Sequence, residues 1–393
     1  MKEKYVILRN ISPSAGVLAL GKPAGGGVAA AIPLPPLIAV EVEAIDRKDH
    51  SAMLRRADVE AAAPAIPMKL IAPKIDREDV AIPAALEIEW GVKAVKADTS
   101  PFTGDGVVVA VLDTGIDAAH PAFAGMDIEE KDFTGEGNGD THGHGTHCAG
   151  VIFGRTTGNR RIGVAPGVKK ALIGKVLGRE GGGSDQIVEA IQWAVKNGAN
   201  VISMSLGMDF PGLVKRLENS GIQTEAAVSI ALEDYRENVN LFESLASLIK
   251  GNKTGVIIVA AAGNESERPR YEIAVSLPAV CDGIISIAAI GQASNGFSTA
   301  PFSNTGANIS GPGVNVVSAK RGGGFIAMSG TSMATPHVAG VAALWAEKIN
   351  KGIGSLNTLE LTTDLLGSAT RDGMGPGFDP SDVGLGLIQA PQR

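Results

Sequence analysis

The 393-residue chain predicts an α/β fold: a doubly wound, mostly parallel sheet with helices on both faces, preceded by a small α+β N-terminal segment. Three observations lead there. Beyond residue 88 the apolar runs at 107–112, 170–177, 201–206, 255–262 and 283–290 are unbroken rather than alternating, the pattern of strands buried on both faces. Segments with helical spacing stand between them, such as 184–197, where Ile187, Ile191 and Val195 recur every fourth position; strands alternating with helices build a parallel sheet. Finally, 51 glycines against 4% aromatic residues suit close strand–helix layers joined by tight turns.

In chain order, residues 5–8 predict a first strand and 37–45 a second, with 11–36, full of Gly and Pro, as a loop. Residues 47–56 predict a short helix with Asp46 as N-cap. Residues 64–83 hold four prolines and no clear period, and predict an extended linker. The composition shift divides the chain into 1–87 and a larger domain, 88–393. Within the latter, 208–252 reads as an extra helical segment, with helices at 226–232 and 239–249 and Leu241, Leu245 and Leu248 on one face. Residues 331–350 predict a long helix with Val338, Val341, Leu344 and Trp345 turned inward.

The net charge of -7 argues against a nucleic-acid binder, which needs a basic face. Two cysteines, Cys148 and Cys281, build no disulfide framework and predict free thiols. No stretch approaches the ~18 apolar residues of a membrane span. Residues 1–10 lack the apolar run of a signal peptide. The compartment stays open: intracellular, exported by another route, or a trimmed form of a secreted protein.

Ligand sites in such sheets lie beyond the carboxyl ends of the strands. Four segments place polar residues there. Asp113 ends the first apolar run, in Leu112-Asp113-Thr114-Gly115. A carboxylate at a buried strand end must accept hydrogen bonds, either as a turn aspartate or in chemistry. The run Asp140-Thr141-His142-Gly143-His144-Gly145-Thr146-His147-Cys148 carries three of the six histidines. Clustered histidines raise zinc, but no His-Glu-x-x-His is present and no further Cys or Glu stands at ligand spacing. Ser332, in Gly330-Thr331-Ser332-Met333-Ala334-Thr335-Pro336-His337, opens a helix; alone it reads as an N-cap, though a helix N-terminus also favours developing negative charge. Asn264 follows a buried strand and reads as a turn former or an amide donor. Together the four supply a carboxylate, an imidazole, a hydroxyl and an amide donor, the components of acyl transfer.

These four segments resemble, in order, sequence and rough spacing, the motifs of the subtilisin family of serine proteases (subtilases), over residues 88–390. The run 330–340 is the most specific. The resemblance implies a serine endopeptidase working through an acyl-enzyme. In it, Asp113 orients His144, His144 is general base and then acid, Ser332 is the nucleophile, and Asn264 joins the Ser332 N–H in the oxyanion hole. It leaves His142 and His147 as supporting residues. Ser205, Leu206 and Gly207 resemble the strand that pairs with an extended polypeptide substrate, and Gly181, Gly182 and Gly183 the strand opposite. A phosphate-loop reading of those glycines fails because no Lys-Ser or Lys-Thr follows. Ala261, Ala262 and Gly263, with the region near Ser276, would line the pocket before the scissile bond; small and apolar, it implies preference for apolar over basic residues.

No cofactor is implied for the chemistry, nor any metal among the site residues. Ala122 stands where the family's best-known calcium site has an acidic residue, and the partner loop carries Arg160 and Arg161. That site reads as lost, with structural calcium elsewhere left open. Cys148 is similar to the cysteine near the catalytic histidine in proteinase K-like branches. Residues 1–87 loosely resemble the family's propeptide, and so imply an intramolecular chaperone and inhibitor whose 64–83 stretch reaches the active site. The partners implied are peptides and this segment, with no nucleic acid and no membrane. Two other classes compete: a catalytically silent scaffold of the same fold, opposed by four competent catalytic positions, and an α/β-hydrolase esterase, whose Gly-x-Ser-x-Gly elbow is absent.

Overall fold

The computed structural model describes residues 2–11, 38–251 and 255–393. The loop expected at 11–36 therefore lies, beyond Ile11, outside the described residues. An eight-stranded sheet forms the centre. Side by side run Gly296–Thr299, Ile284–Ala293, Ile257–Ala261, Val201–Met204, Val108–Asp113, Lys170–Lys175 and Asp127–Asp132, and Ile309–Pro312 also pairs with Ile284–Ala293. All are parallel except Gly296–Thr299. After Val108–Asp113 the chain crosses to the far edge, returns beside it through Lys170–Lys175, and then continues on its other side. The winding thus reverses at that strand, and its carboxyl end, Asp113, lies at the switch point where such sheets bind ligands.

The unbroken apolar runs divide between two cores by alternation. Val109, Val111, Ile173, Val201 and Val259 face one core, shared with the helices His144–Phe153 and Thr331–Ile353. Ala110, Leu112, Leu172, Ile202 and Ile258 face the other, covered by Ser184–Lys196 and Thr224–Gly251. The run 201–206 proves to be two elements: Val201–Met204 stays in the central sheet, and Leu206–Met208 leaves it to pair elsewhere.

The expected break between helices 226–232 and 239–249 does not exist. A single 28-residue helix, Thr224–Gly251, spans both, preceded by Phe210–Asn219. The helix expected at 47–56 is shorter, a 3₁₀ turn Arg47–Asp49 followed by His50–Met53, and Asp46 makes no capping bond. Lys2–Asn10 forms the centre of an antiparallel sheet between Ile38–Asp46 and Val59–Pro64. One face of this sheet packs on the long helix: Val6, Leu8, Ala61 and Ala63 share a core with Leu241, Phe242 and Leu245. Full burial of a Val or Leu side chain contributes roughly 1.5–3 kcal/mol. Polar contacts fix the placement. Arg47 Nη2 bonds Asp234 Oδ1 at 2.7 Å, Asn238 Nδ2 donates to Pro64 O at 2.9 Å, and His50 Nδ1 lies 3.2 Å from Glu237 Oε1.

The stretch 64–83 is extended, as its prolines predict, but it is no free linker. It contributes two strands, Pro67–Leu70 and Lys74–Arg77, each paired with the larger domain. Among the described residues no helix is long and apolar enough to cross a membrane, and Cys148 and Cys281 are free.

Candidate active site

Asp113 is fully buried at its strand end. Its Oδ1 accepts from His144 Nδ1 at 2.7 Å and from the Thr114 N–H at 2.8 Å. His144 begins its helix directly after Gly143, whose φ of 102° is a left-handed conformation that suits glycine. The next residue must also be small, because a Cβ at Gly145 would lie 2.1 Å from Gly115 O. Burial alone pushes the His144 imidazole down. The charge of Asp113, the adjacent Cys148 and the Asp113 hydrogen bond together more than reverse this and hold His144 well above the ordinary imidazole range. His147 has no such partner: burial pushes it down to about 3, and its Nε2 meets Val316 O at 3.1 Å. His142 is exposed, its ring edge-on to His144 at 6.3 Å.

Ser332 is not an N-cap. Gly330 caps the Thr331–Ile353 helix, and Ser332 is its second residue. Four residues on, Pro336 has no N–H, so Ser332 O is released from the helical ladder. It accepts instead from Ser205 Oγ at 3.2 Å and Cys148 Sγ at 3.4 Å. These bonds tie the helix start to the sheet and place Cys148 beneath His144, with Sγ 3.8 Å from Nδ1 and 4.0 Å from Nε2. Burial pushes the Cys148 thiol up.

Asn264 lies three residues past Ile257–Ala261. Its Oδ1 accepts from both the N–H and the Oγ of Thr331, each at 2.8 Å, so its Nδ2 must face the opening. There it donates to Ala72 O at 3.1 Å. Thr331, which aims this amide, was missed by sequence reasoning, as was Asp140. A hydroxyl next to Ser332 was the available signal for Thr331.

The Pro67–Leu70 strand runs antiparallel between Gly182–Gly183 and Leu206–Met208: Met68 pairs with Gly182 and Met208, Lys69 with Gly207, and Leu70 with Leu206. Two of the expected pairing residues fall outside this ladder. Gly181 makes a turn with Gly178 at φ 86°, and Ser205 spends its hydroxyl on Ser332 O. Ile71 comes next, fully buried against Gly207, where a Cβ would lie 3.3 Å from Ile71 Cδ1 and 3.0 Å from Ser276 Oγ. Ala261 and Ala262 are buried close by in sequence, and Gly263 donates its N–H to Thr331 Oγ1 at 3.2 Å. Ser332 Oγ donates to Ile71 O at 2.9 Å. Beyond Pro73 the chain continues as Lys74–Arg77 along Phe325–Ser329.

Asp113, His144 and Cys148 bring three potential ligand atoms within 4.8 Å of one another. The 2.7 Å between Asp113 Oδ1 and His144 Nδ1 is a hydrogen bond, closer than two ligands of one tetrahedral zinc ion at ~2.0–2.2 Å would stand. Ala122 is buried, and the Arg155 guanidinium donates to the carbonyls of Ala124, Pro166 and Val168.

A strand-end carboxylate bonded to an imidazole, beside a hydroxyl at a helix start, defines a site suited to acyl transfer. A subtilase-family profile matches residues 104–380, and the chain belongs to that family. It is 35% identical over 315 residues to the thermostable alkaline protease of Halalkalibacterium halodurans, covering 77% of this chain and 72% of that protein. It is 34% identical over 303 residues to subtilisin Savinase of Lederbergia lenta (74% and 97%) and 34% identical over 275 residues to the intracellular serine protease of Paenibacillus polymyxa (67% and 74%). The protein is therefore a subtilisin-like serine endopeptidase, a hydrolase that binds peptide substrates and needs no cofactor for catalysis.

Proposed function

We propose that the endopeptidase works through Asp113, His144 and Ser332, with Asn264 and the Ser332 N–H receiving the oxyanion. The observation that carries this is the 2.9 Å bond from Ser332 Oγ to the carbonyl of Ile71, which directly follows the Pro67–Leu70 strand paired on both sides like an extended peptide. His144, held by Asp113, takes the Ser332 proton as the hydroxyl attacks the scissile carbonyl. The proton then passes to the leaving amine, and water releases the acyl-enzyme by the reverse roles. Asn264 Nδ2, aimed by Thr331, meets the charge that develops on the carbonyl oxygen. Gly182, Gly183, Leu206 and Gly207 hold the substrate backbone. Ala261, Ala262, Gly263 and the region near Ser276 bound a pocket that takes an apolar side chain; the burial of Ile71 against Gly207, beside Ser276, supports this.

The same observation supports a second part of the proposal: residues 1–87 act as an intramolecular inhibitor and folding aid of the catalytic domain 88–393. The three-stranded sheet docks on Thr224–Gly251, and 67–77 fills the cleft. The half-buried guanidinium of Arg155 supports loss of the family's first calcium site, since it already supplies a cation to three carbonyls.

The test is covalent labelling of Ser332 by a fluorophosphonate. Labelling should be abolished by Ser332→Ala, with peptide hydrolysis falling on the order of a million-fold. A Ser332→Ala protein that still cleaves peptides at full rate refutes the assignment.

A further inference from the structure

Asp140 takes no part in the chemistry just described, yet it is buried beside the site with five hydrogen bonds on one carboxylate. Oδ1 accepts from Thr114 Oγ1 at 2.9 Å, from the His142 N–H at 2.9 Å and from the Gly143 N–H at 2.7 Å. Oδ2 accepts from the N–H and the hydroxyl of Thr146 at 2.9 and 2.6 Å. Its own N–H donates to Ile116 O at 3.1 Å. Every partner of the carboxylate is a donor, and each oxygen has at least two, so only an acceptor-only group satisfies the arrangement.

These partners belong to the two segments that carry Asp113 and His144. Thr114 follows Asp113, and its hydroxyl, having donated to Asp140, accepts from the Gly145 N–H at 2.9 Å. His142, Gly143 and Thr146 surround His144 at the helix start. Asp140 thus caps that helix and clamps it to the end of the Asp113 strand. The 2.7 Å bond between Asp113 and His144 joins the two segments held by the clamp.

We propose that Asp140 is a positioning residue of the endopeptidase, which sets the His144 ring against Asp113 and Ser332 through Thr114 and Thr146. This rests on the triad assignment above. Misplacing a catalytic group by about 1 Å costs on the order of 100-fold in rate. An amide at position 140 would turn an N–H₂ toward two donors, so Asn, although isosteric, breaks the clamp.

The experiment measures kcat and KM for a peptide substrate in full-chain Asp140→Asn, Thr114→Val and Thr114→Ser proteins, per fluorophosphonate-labelled site, and in Ser332→Ala per mole of folded protein. In Asp140→Asn, kcat should fall at least ~10-fold with KM within about two-fold, because the substrate strands are untouched. The fluorophosphonate labelling rate should fall by the same factor. Thr114→Val should lose ~3–10-fold in kcat, and Thr114→Ser, which keeps the hydroxyl, should retain wild-type kcat. If Asp140→Asn does not fold, the Thr114 pair decides. A folded Asp140→Asn with unchanged kcat, a loss confined to KM, or a Thr114→Val protein as fast as Thr114→Ser overturns the proposal. Full activity in Ser332→Ala overturns the triad assignment instead, a result distinct from any of these.

Discussion

Ser332 Oγ lies 2.9 Å from the carbonyl oxygen of Ile71 and donates to it, and a serine hydroxyl has one proton to give. While that bond stands, the proton is not directed at His144. The neighbouring carbonyl, that of Ala72, accepts from Asn264 Nδ2 at 3.1 Å. Ser332 and Asn264 therefore engage two successive carbonyls, whereas the proposed attack on a peptide bond requires both on the same one.

Disturbing the seat of Ile71 should unmask the site. Ile71→Glu places a carboxylate in a buried apolar pocket, at a cost of several kcal/mol unless the strand withdraws. The full chain should then react with a fluorophosphonate at least ~10-fold faster than the unsubstituted protein. Equal labelling rates would show that the strand does not control access.

Asn264→Leu should lower kcat by about 10²–10³ with little change in KM, the range known for the corresponding donor in subtilisin itself. Thr331→Val, which removes one of the two donors orienting Asn264, should lower kcat less, by roughly 10-fold. Steady-state kinetics on both variants check this; a loss seen only in KM would argue that Asn264 binds substrate without stabilising the oxyanion.

In the proposed triad His144 must be neutral to act as base, so kcat/KM rises as pH passes the His144 pKa. Asp113 holds that pKa well above the ordinary value, so the acid limb of the profile should lie above ~6.5. In Asp113→Asn the charge is gone while burial remains, and the limb should move down as kcat falls ~10⁴-fold. A limb at or below ~6.5 in the unsubstituted enzyme would contradict the Asp113–His144 coupling.

At the other end of the N-terminal unit, hydrogen bonding to Glu237 raises the His50 pKa above its ordinary value. A raised pKa means that the contact contributes fully below ~6.5 and is lost as pH rises through the elevated value. Hydrogen-exchange protection of Lys2–Asn10 should accordingly decline across that window, and His50→Gln should flatten the decline. Protection that rises with pH would reverse the sign and reject the contact's role.

Cys148 Sγ sits 3.4 Å from Ser332 O and about 4 Å from the His144 ring, so mercury bonded there displaces the base. Mercuric ion should inactivate the enzyme slowly, since burial keeps the thiol protonated. Cys148→Ala should retain most activity and become insensitive. Full activity after stoichiometric mercury labelling of Cys148 would rule this out.

Asp113 was legible because an apolar run that ends in a carboxylate marks a strand end, and the winding places that end at the switch point. The alternation of Val109, Ala110, Val111 and Leu112 between two cores was legible as an unbroken run. The rest depends on partners remote in sequence. Asp234 and Asn238 interrupt the apolar stripe of Thr224–Gly251, which is why one helix read as two. Their reasons for being buried, Arg47 and Pro64 O, come from the N-terminal unit. Prolines at 64, 67, 73 and 83 concealed the strand Pro67–Leu70, because its ladder is made with glycines and with the detached strand Leu206–Met208. Asp140 was invisible because its partners are mostly backbone N–H groups, which no residue identity announces.

The Thr224–Gly251 helix lies between the N-terminal sheet and the central sheet and contributes to one continuous core with both. Severing the chain anywhere between 72 and 90 would remove none of that core. Cutting and letting go are therefore separate events with separate clocks. The first is a matter of peptide chemistry; the second depends on how often Val6, Leu8, Ala61 and Ala63 lift from the helix together. Under the proposed inhibitory role of residues 1–87, the working life of the inhibited form is written in that lift-off rate, and substitutions on the helix far from the cleft can retune it without touching a single catalytic atom.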